Sequence, residues 1–320
     1  MSEHRAHTTT LNDGVVAIDT EYARPLQDAS HLIVENGRAA FVDTGANNAV
    51  PLLIDALAQN DLDRADVDYV FLTHIHLDHA GGAGLLMQQL PNARCVIHPR
   101  GANHMIDPTR LMAGTISVYG EDAARELYGE LEPIDASRID QPQEGDTFSL
   151  GGRELRTFYT EGHALHHYSI YDGVASGVFS GDSFGVSYRE LDTPNGAFIF
   201  PSSTPTHFDP DAAHAAYDRI LSFDPQYVYL THYSRVDELD RLANDLHHDI
   251  DAYATMALNN RDADDRQAAL QDAMYRYLSS RLRAHGYAGS DDAMRSILEI
   301  DTVLNAQGLV SWLQRLEKKG

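Results

Sequence analysis

Cysteine is almost missing from this chain. Cys95 is the only one among 320 residues. A disulfide within the chain is therefore excluded, and so is a zinc–thiolate cluster; any metal must be held by histidine and carboxylate. Positive charge is also scarce. Against 48 acidic side chains stand 24 basic ones, a formal net charge of −24. Such a surface repels phosphate backbones and anionic bilayers, so neither nucleic acid nor a membrane surface is an expected partner. No apolar run reaches the roughly 20 residues of a membrane span. The polar opening MSEHRAHTTTLNDG has no apolar signal segment, so the expected location is the cytoplasm.

What is present is an alternation of short apolar runs with helical patterns. Val15–Asp19, His31–Glu35, Ala39–Val42, Tyr69–Leu72 and Arg94–Ile97 read as strands. In NNAVPLLIDALAQN, Val50, Leu53, Ile54 and Leu57 share a helical face. Residues 99–140 read as a helical insertion. Its apolar side chains (Met105, Leu111, Val118, Tyr119, Leu127 and Tyr128 among them) are suited to covering a cleft. Strands resume at Thr147–Leu150, Leu155–Tyr159, Tyr168–Tyr171, Val178–Ser180 and Tyr227–Leu230, a second half with the rhythm of the first. Two facing sheets are expected from this. From Val236 the pattern is all-helical, with one stripe at Leu239, Leu242, Leu246, Ile250 and Tyr253. A second stripe runs through Leu270, Met274, Tyr277 and Leu282, with Gly286 as a stop. The expected domains are residues 1–235, which hold the strands and the helical insertion, and 236–320, helical.

The densest chemistry lies in FLTHIHLDHAGG, residues 71–82. His74 and His76 project to one side of an extended strand end. Asp78 and His79 follow as the chain turns towards a helix, and Gly81 and Gly82 leave the turn unobstructed. The pattern H-x-H-x-D-H arises by chance about 0.005 times in a chain of this composition. Three nitrogens and a carboxylate in one compact loop suit zinc, iron or manganese. Other strand ends carry further ligand-type side chains: His163 after Glu161-Gly162, Asp182 between Gly181 and Ser183, and His232 after Leu230-Thr231. His166 and His167 are rivals to His163.

These motifs, with Asp43 in FVDTG, resemble the metallo-β-lactamase superfamily over roughly residues 14–235. The resemblance implies an α/β fold, an αββα sandwich, with a dinuclear site along one sheet edge. It assigns His74, His76 and His163 to one metal ion, Asp78, His79 and His232 to the other, and Asp182 to a bridge between them. Asp43 would orient the loop by hydrogen bonds. Two divalent ions, zinc first with iron or manganese as alternatives, would generate a bridging hydroxide that attacks a carbonyl or phosphoryl centre. Asp78 is then a candidate catalytic residue. Tyr188, six positions after Asp182, is a second one, as a donor to a developing oxyanion.

Within the superfamily the layout is similar to glyoxalase II-like hydrolases with a helical insertion and a helical C-terminus. The basic glutathione-binding residues of glyoxalase II do not appear after Asp182, and the lactonase tyrosine is not in Ser183-Phe184-Gly185. The expected function is hydrolysis of a small ester, thioester or lactone, extending to phosphoester promiscuity. The alternatives are a mononuclear iron persulfide dioxygenase on the same fold, and a ligand sensor that keeps the metal site without turnover. The insertion and C-terminal helices would shape the pocket or a homodimer interface.

Overall fold

The computed structural model describes residues 5–203 and 207–319. His4 and Thr204–Thr206 of the Pro-rich stretch FIFPSSTPTHFDP lie outside the described residues.

The chain divides into two compact units. The first comprises residues 1–159, 166–181 and 225–235, and the second residues 160–165, 182–224 and 236–320. The first unit is built on two sheets. One holds β1 (Thr8–Thr10), β2 (Val15–Asp19), β3 (Ala29–Glu35), β4 (Arg38–Val42), β5 (Val67–Leu72), β6 (Arg94–Ile97) and β7 (Ile139–Asp140), in that spatial order. The other runs β13-β12-β11-β10-β9-β8 from β8 (Thr147–Leu150), β9 (Arg153–Tyr159), β10 (Tyr168–Asp172), β11 (Gly177–Gly181), β12 (Tyr227–Leu230) and β13 (Ser234–Val236).

Alternation along the strands explains the layering. In β4, Ala40 and Val42 pack with Phe71 and Val96 against Leu155, Ile170 and Phe179 of the other sheet. The intervening Ala39 and Phe41 face the opposite way. They meet Leu53 and Leu57 of α1 (Val50–Gln59), Leu86 of α3 (Ala83–Gln89) and Met105 of α4 (Pro99–Ile106). Period-two patterning on a sheet buried on both faces produces this double core. Cys95 is buried on the helix side.

Between α1 and α3 lies the short helix α2 (Leu77–Ala80). Beyond α4 come α5 (Thr109–Tyr119) and α6 (Glu121–Tyr128). The stretch expected as a wholly helical insertion therefore ends in a strand: Ile139–Asp140 pairs in parallel with Cys95–Val96. At two residues β7 is too short to show a period, and the polar β1, with sequence Thr-Thr-Thr, carries no apolar signal at all.

The second unit is mainly helical: α7 (Pro210–Leu221), α8 (Leu239–Asn259), α9 (Arg266–Ala284) and α10 (Asp291–Lys319). Leu242, Leu246, Ile250 and Tyr253 of α8 are buried. On α9 the buried stripe runs Leu270, Met274, Leu278 and Leu282, so Leu278 takes the core position expected of Tyr277. The Tyr277 hydroxyl instead donates to the buried Asp249 at 2.7 Å. Gly286, with φ of 100°, follows the end of α9. Among the described residues no helix is long and apolar enough to cross a membrane.

Candidate metal centre

In the first unit β4, β5 and β6 are mutually parallel, as are β11 and β12. Their carboxyl ends therefore open on common edges, the place where α/β sheets present functional groups. Asp43 follows β4, Thr73 and His74 follow β5, and Thr231 and His232 follow β12.

Asp43 is the hub. Its φ of 59° turns the chain sharply out of β4. Its Oδ1 accepts from the Thr73 backbone N–H at 2.9 Å. Its Oδ2 accepts from the Thr231 hydroxyl at 2.8 Å and stands 2.8 Å from His79 Nδ1. The Thr73 hydroxyl donates to the same carboxylate, 2.9 Å from Oδ2. One buried carboxylate thus ties the ends of three strands and fixes an imidazole.

His232 makes a close ion-pair approach to a residue that the sequence reading passed over. Its Nδ1 lies 2.7 Å from Oδ1 of Asp28, which is fully buried. Asp28 ends the loop between β2 and β3, where three non-glycine residues, Glu21, Ala23 and Leu26, have positive φ. Burial pushes the Asp28 carboxyl up to about 6, against the lowering effect of His232.

With both Nδ1 atoms engaged, the Nε2 atoms converge on Asp78. His79 Nε2 is 3.7 Å and His232 Nε2 3.6 Å from Asp78 Oδ2. Ligands bonded at about 2.1 Å in tetrahedral geometry lie about 3.4 Å apart, so this trio fits one divalent ion. The ligand atoms of Asp78, His79 and His232 all lie within 4.8 Å of one another. A carboxylate behind each imidazole is the outer support that fixes tautomer and ring orientation in metal sites. Asp78 retains 24 % side-chain exposure while His79 has none, so the trio is open on the Asp78 side.

His74 and His76 stand beside this trio. His74 Nε2 is 2.8 Å from His76 Nδ1, and the His74 ring centroid is 4.1 Å from that of His79. The alternatives His166 and His167 also belong to this unit. The His167 ring stacks 4.9 Å from His74, and the His166 ring lies 5.6 Å from His76. Gly82 is required by close approach: a Cβ there would sit 2.8 Å from the Ala46 carbonyl oxygen.

The second unit carries His163, Asp182 and Tyr188. His163 Nε2 is 3.5 Å from Asp182 Oδ2, and its Nδ1 is 3.2 Å from the Ser202 carbonyl oxygen. The Ser202 hydroxyl donates to Asp182 at 3.3 Å. Tyr188 is 1 % exposed, and its hydroxyl donates to Asp301 Oδ1 at 3.3 Å.

The Metallo-beta-lactamase superfamily model matches residues 23–232. The chain belongs to this superfamily. A Metallo-beta-lactamase fold-containing protein of Sulfurisphaera tokodaii, ST1585, is 28 % identical over 209 residues, 62 % of this chain and 74 % of that protein. An endoribonuclease of Yarrowia lipolytica, YSH1, is 25 % identical over 71 % of this chain, which spans only 26 % of it. A hydroxyacylglutathione hydrolase of Ruegeria pomeroyi is 29 % identical over 53 % of this chain and half of its own length. The crystal structure of ST1585 from Sulfolobus tokodaii shares the fold with a TM-score of 0.65 at 20 % identity, over 93 % of this chain and 99 % of that one. The metallo-β-lactamase superfamily includes metal-dependent hydrolases, and the His and Asp side chains of this member could hold a metal ion.

Proposed function

We propose that this protein is a dinuclear metal-dependent hydrolase acting on a small ester, thioester or lactone. The observation that carries the reading is the pairing of His79 with Asp43 and of His232 with Asp28. Two buried carboxylates hold two imidazoles with their Nε2 atoms directed at Asp78. Mere polar surface does not need such support.

In this reading the superfamily's ligand order, matched in the sequence, gives His74, His76 and His163 to one ion. Asp78, His79 and His232 take the other, and Asp182 supplies the bridge. Zinc is the first choice, and iron or manganese suits the same donors. Such ions supply Lewis acidity and a bound water whose pKa falls towards about 7. The protein's own part is to orient the imidazoles, through Asp43 and Asp28. A hydroxyacylglutathione hydrolase among the relatives is consistent with an acyl substrate, as is an acyl carrier protein thioesterase named among them. The net charge of −24 favours a small molecule over a nucleic acid.

The test is elemental analysis of the full chain purified without added metal or chelator, followed by a thioester, lactone and phosphoester panel. About two ions per chain with acyl hydrolysis is the expected result. One iron per chain, with oxygen uptake on glutathione persulfide, would replace this reading with the dioxygenase. No metal, and none taken up on titration, would overturn the chemistry altogether.

A further inference from the structure

The loop that delivers Asp28 to His232 also delivers Tyr22. Its shape is fixed from within: the Asp19 carboxylate accepts from the backbone N–H groups of Glu21 (2.9 Å) and Leu26 (3.0 Å). Three non-glycine residues at positive φ make it a strained segment, and strain of this kind persists where a surrounding structure has a use for it. Tyr22 meets Tyr128 at the end of α6. The two hydroxyl oxygens are 2.6 Å apart and the rings stack with centroids at 5.9 Å. Tyr119, at the end of α5, has its ring 6.1 Å from that of Tyr128. Asn47 fixes this same end of α6, donating to the Tyr128 carbonyl at 2.9 Å.

This cluster borders the metal trio. Tyr22 and Tyr128 pack with Leu77, the residue immediately before Asp78, and Leu111, Leu127 and Leu131 close the same apolar group. Burial pushes the Tyr119 phenol up to about 12, and the Asp78 charge adds to this. Burial and Asp78 also push Tyr22 and Tyr128 well above their ordinary value. The Asp28 carboxylate bears on Tyr22 and Tyr119 too. All three phenols are therefore neutral hydroxyls within electrostatic reach of Asp78.

Three hydroxyls in a row, with Tyr128 hydrogen-bonded to Tyr22 and to Tyr119, spend two protons and keep a third. We infer that Tyr22 and Tyr128, with Tyr119 beside them, form an oxygen-binding subsite next to Asp78. The retained phenol proton is donated to a carbonyl or carboxylate oxygen of the substrate, and the leucines of the insertion receive an apolar acyl chain. This deepens the hydrolase reading and rests on it. It makes the substrate class an apolar acyl ester or thioester. The phenols donate hydrogen bonds only; the reaction remains acyl ester plus water to carboxylic acid plus alcohol, with no proton lost from tyrosine. A neutral donor aimed at a developing oxyanion strengthens in the transition state.

The experiment uses the zinc-loaded full chain and the variants Tyr22→Phe, Tyr128→Phe and Tyr119→Phe. Metal content and near-ultraviolet circular dichroism verify that each is folded and loaded. Hydrolysis of acetyl and hexanoyl esters is measured, and sodium hexanoate and sodium acetate are titrated calorimetrically. The expected result for Tyr22→Phe and Tyr128→Phe is a fall of about tenfold or more in kcat/KM, with weaker hexanoate binding and unchanged metal content. Hexanoate binds more tightly than acetate to the wild type, and Leu127→Ala narrows that preference. Wild-type rates and hexanoate affinity in both phenylalanine variants would overturn the subsite and leave the hydrolase reading standing. If the wild type hydrolyses no ester, thioester or lactone, the hydrolase reading falls, and the hexanoate titration alone decides the subsite. Should Tyr128→Phe fail to fold, Tyr22→Phe removes the same hydrogen bond from its other side.

Discussion

His232 Nδ1 and Asp28 Oδ1 stand 2.7 Å apart, and the aspartate is fully buried. That contact fixes which imidazole nitrogen faces Asp78. Asp28→Asn keeps the shape and removes the charge. Metal affinity should fall about 10- to 100-fold, the usual cost of losing such a support. Competition with a chromophoric chelator measures it, and an unchanged affinity would reduce the pair to packing.

The bridging role proposed for Asp182 makes a separate prediction. Asp182→Ala should lose one of the two ions and all hydrolysis, because two dications held close together need an anion between them. Elemental analysis and the ester assay read this directly. Retention of two metals and full activity would remove Asp182 from the ligand set.

His31 makes stability depend on pH. It sits in β3 edge-on to the stacked rings of Phe179 and Tyr229, at centroid distances of 5.4 and 5.7 Å. Its Nε2 has no hydrogen-bond partner among the described residues. Burial lowers it from 6.5 to about 4. The unfolded chain therefore takes up a proton that the folded chain refuses. This contribution is present in full above about pH 6.5 and is lost as pH falls towards 4, to a total of about 3 kcal/mol. Urea unfolding of wild type and His31→Leu should give a stability difference that shifts in favour of the variant by about that amount between pH 7 and pH 4. A difference that stays constant with pH would rule out a neutral buried imidazole.

Gly84 is a packing constraint in α3. A Cβ there would lie 1.9 Å from the backbone carbonyl oxygen of Glu132, which cannot swing aside as a side chain would. Gly84→Ala should cost about 2 kcal/mol or more, although alanine favours a helix by about 1 kcal/mol. Thermal unfolding checks it. A stabilised variant would show that the 129–135 segment yields freely.

The His74–His79 loop is legible in the sequence because its chemistry is compressed into six positions and follows an apolar strand. Asp43 is legible by resemblance, from its place after FV at a strand end. Asp28 is not legible. It is one aspartate among many, in the unremarkable string QDASH, and its meaning comes from His232, more than two hundred positions away and held in the other sheet. The two facing sheets are legible because apolar patterning records which faces are buried, whereas the order of strands within each sheet is not written in that pattern. The strands missed were those too short or too polar to alternate, β1, β7 and β13. Tyr119 and Tyr128 were visible as apolar cover, but their hydroxyl chemistry depends on Tyr22, which a linear reading has no reason to place beside them.

Asp43 also sets the order of events in the life of the chain. Its partners Thr73 and Thr231 follow strands of different sheets, and His79 is oriented only once that carboxylate is in place. A ribosome-bound fragment ending before Thr231 carries the whole THIHLDH sequence but neither His232 nor the completed hub. The finished support exists only when residues of both sheets have come together, so the His79 and His232 imidazoles are set in place by the fold and not by the THIHLDH stretch alone.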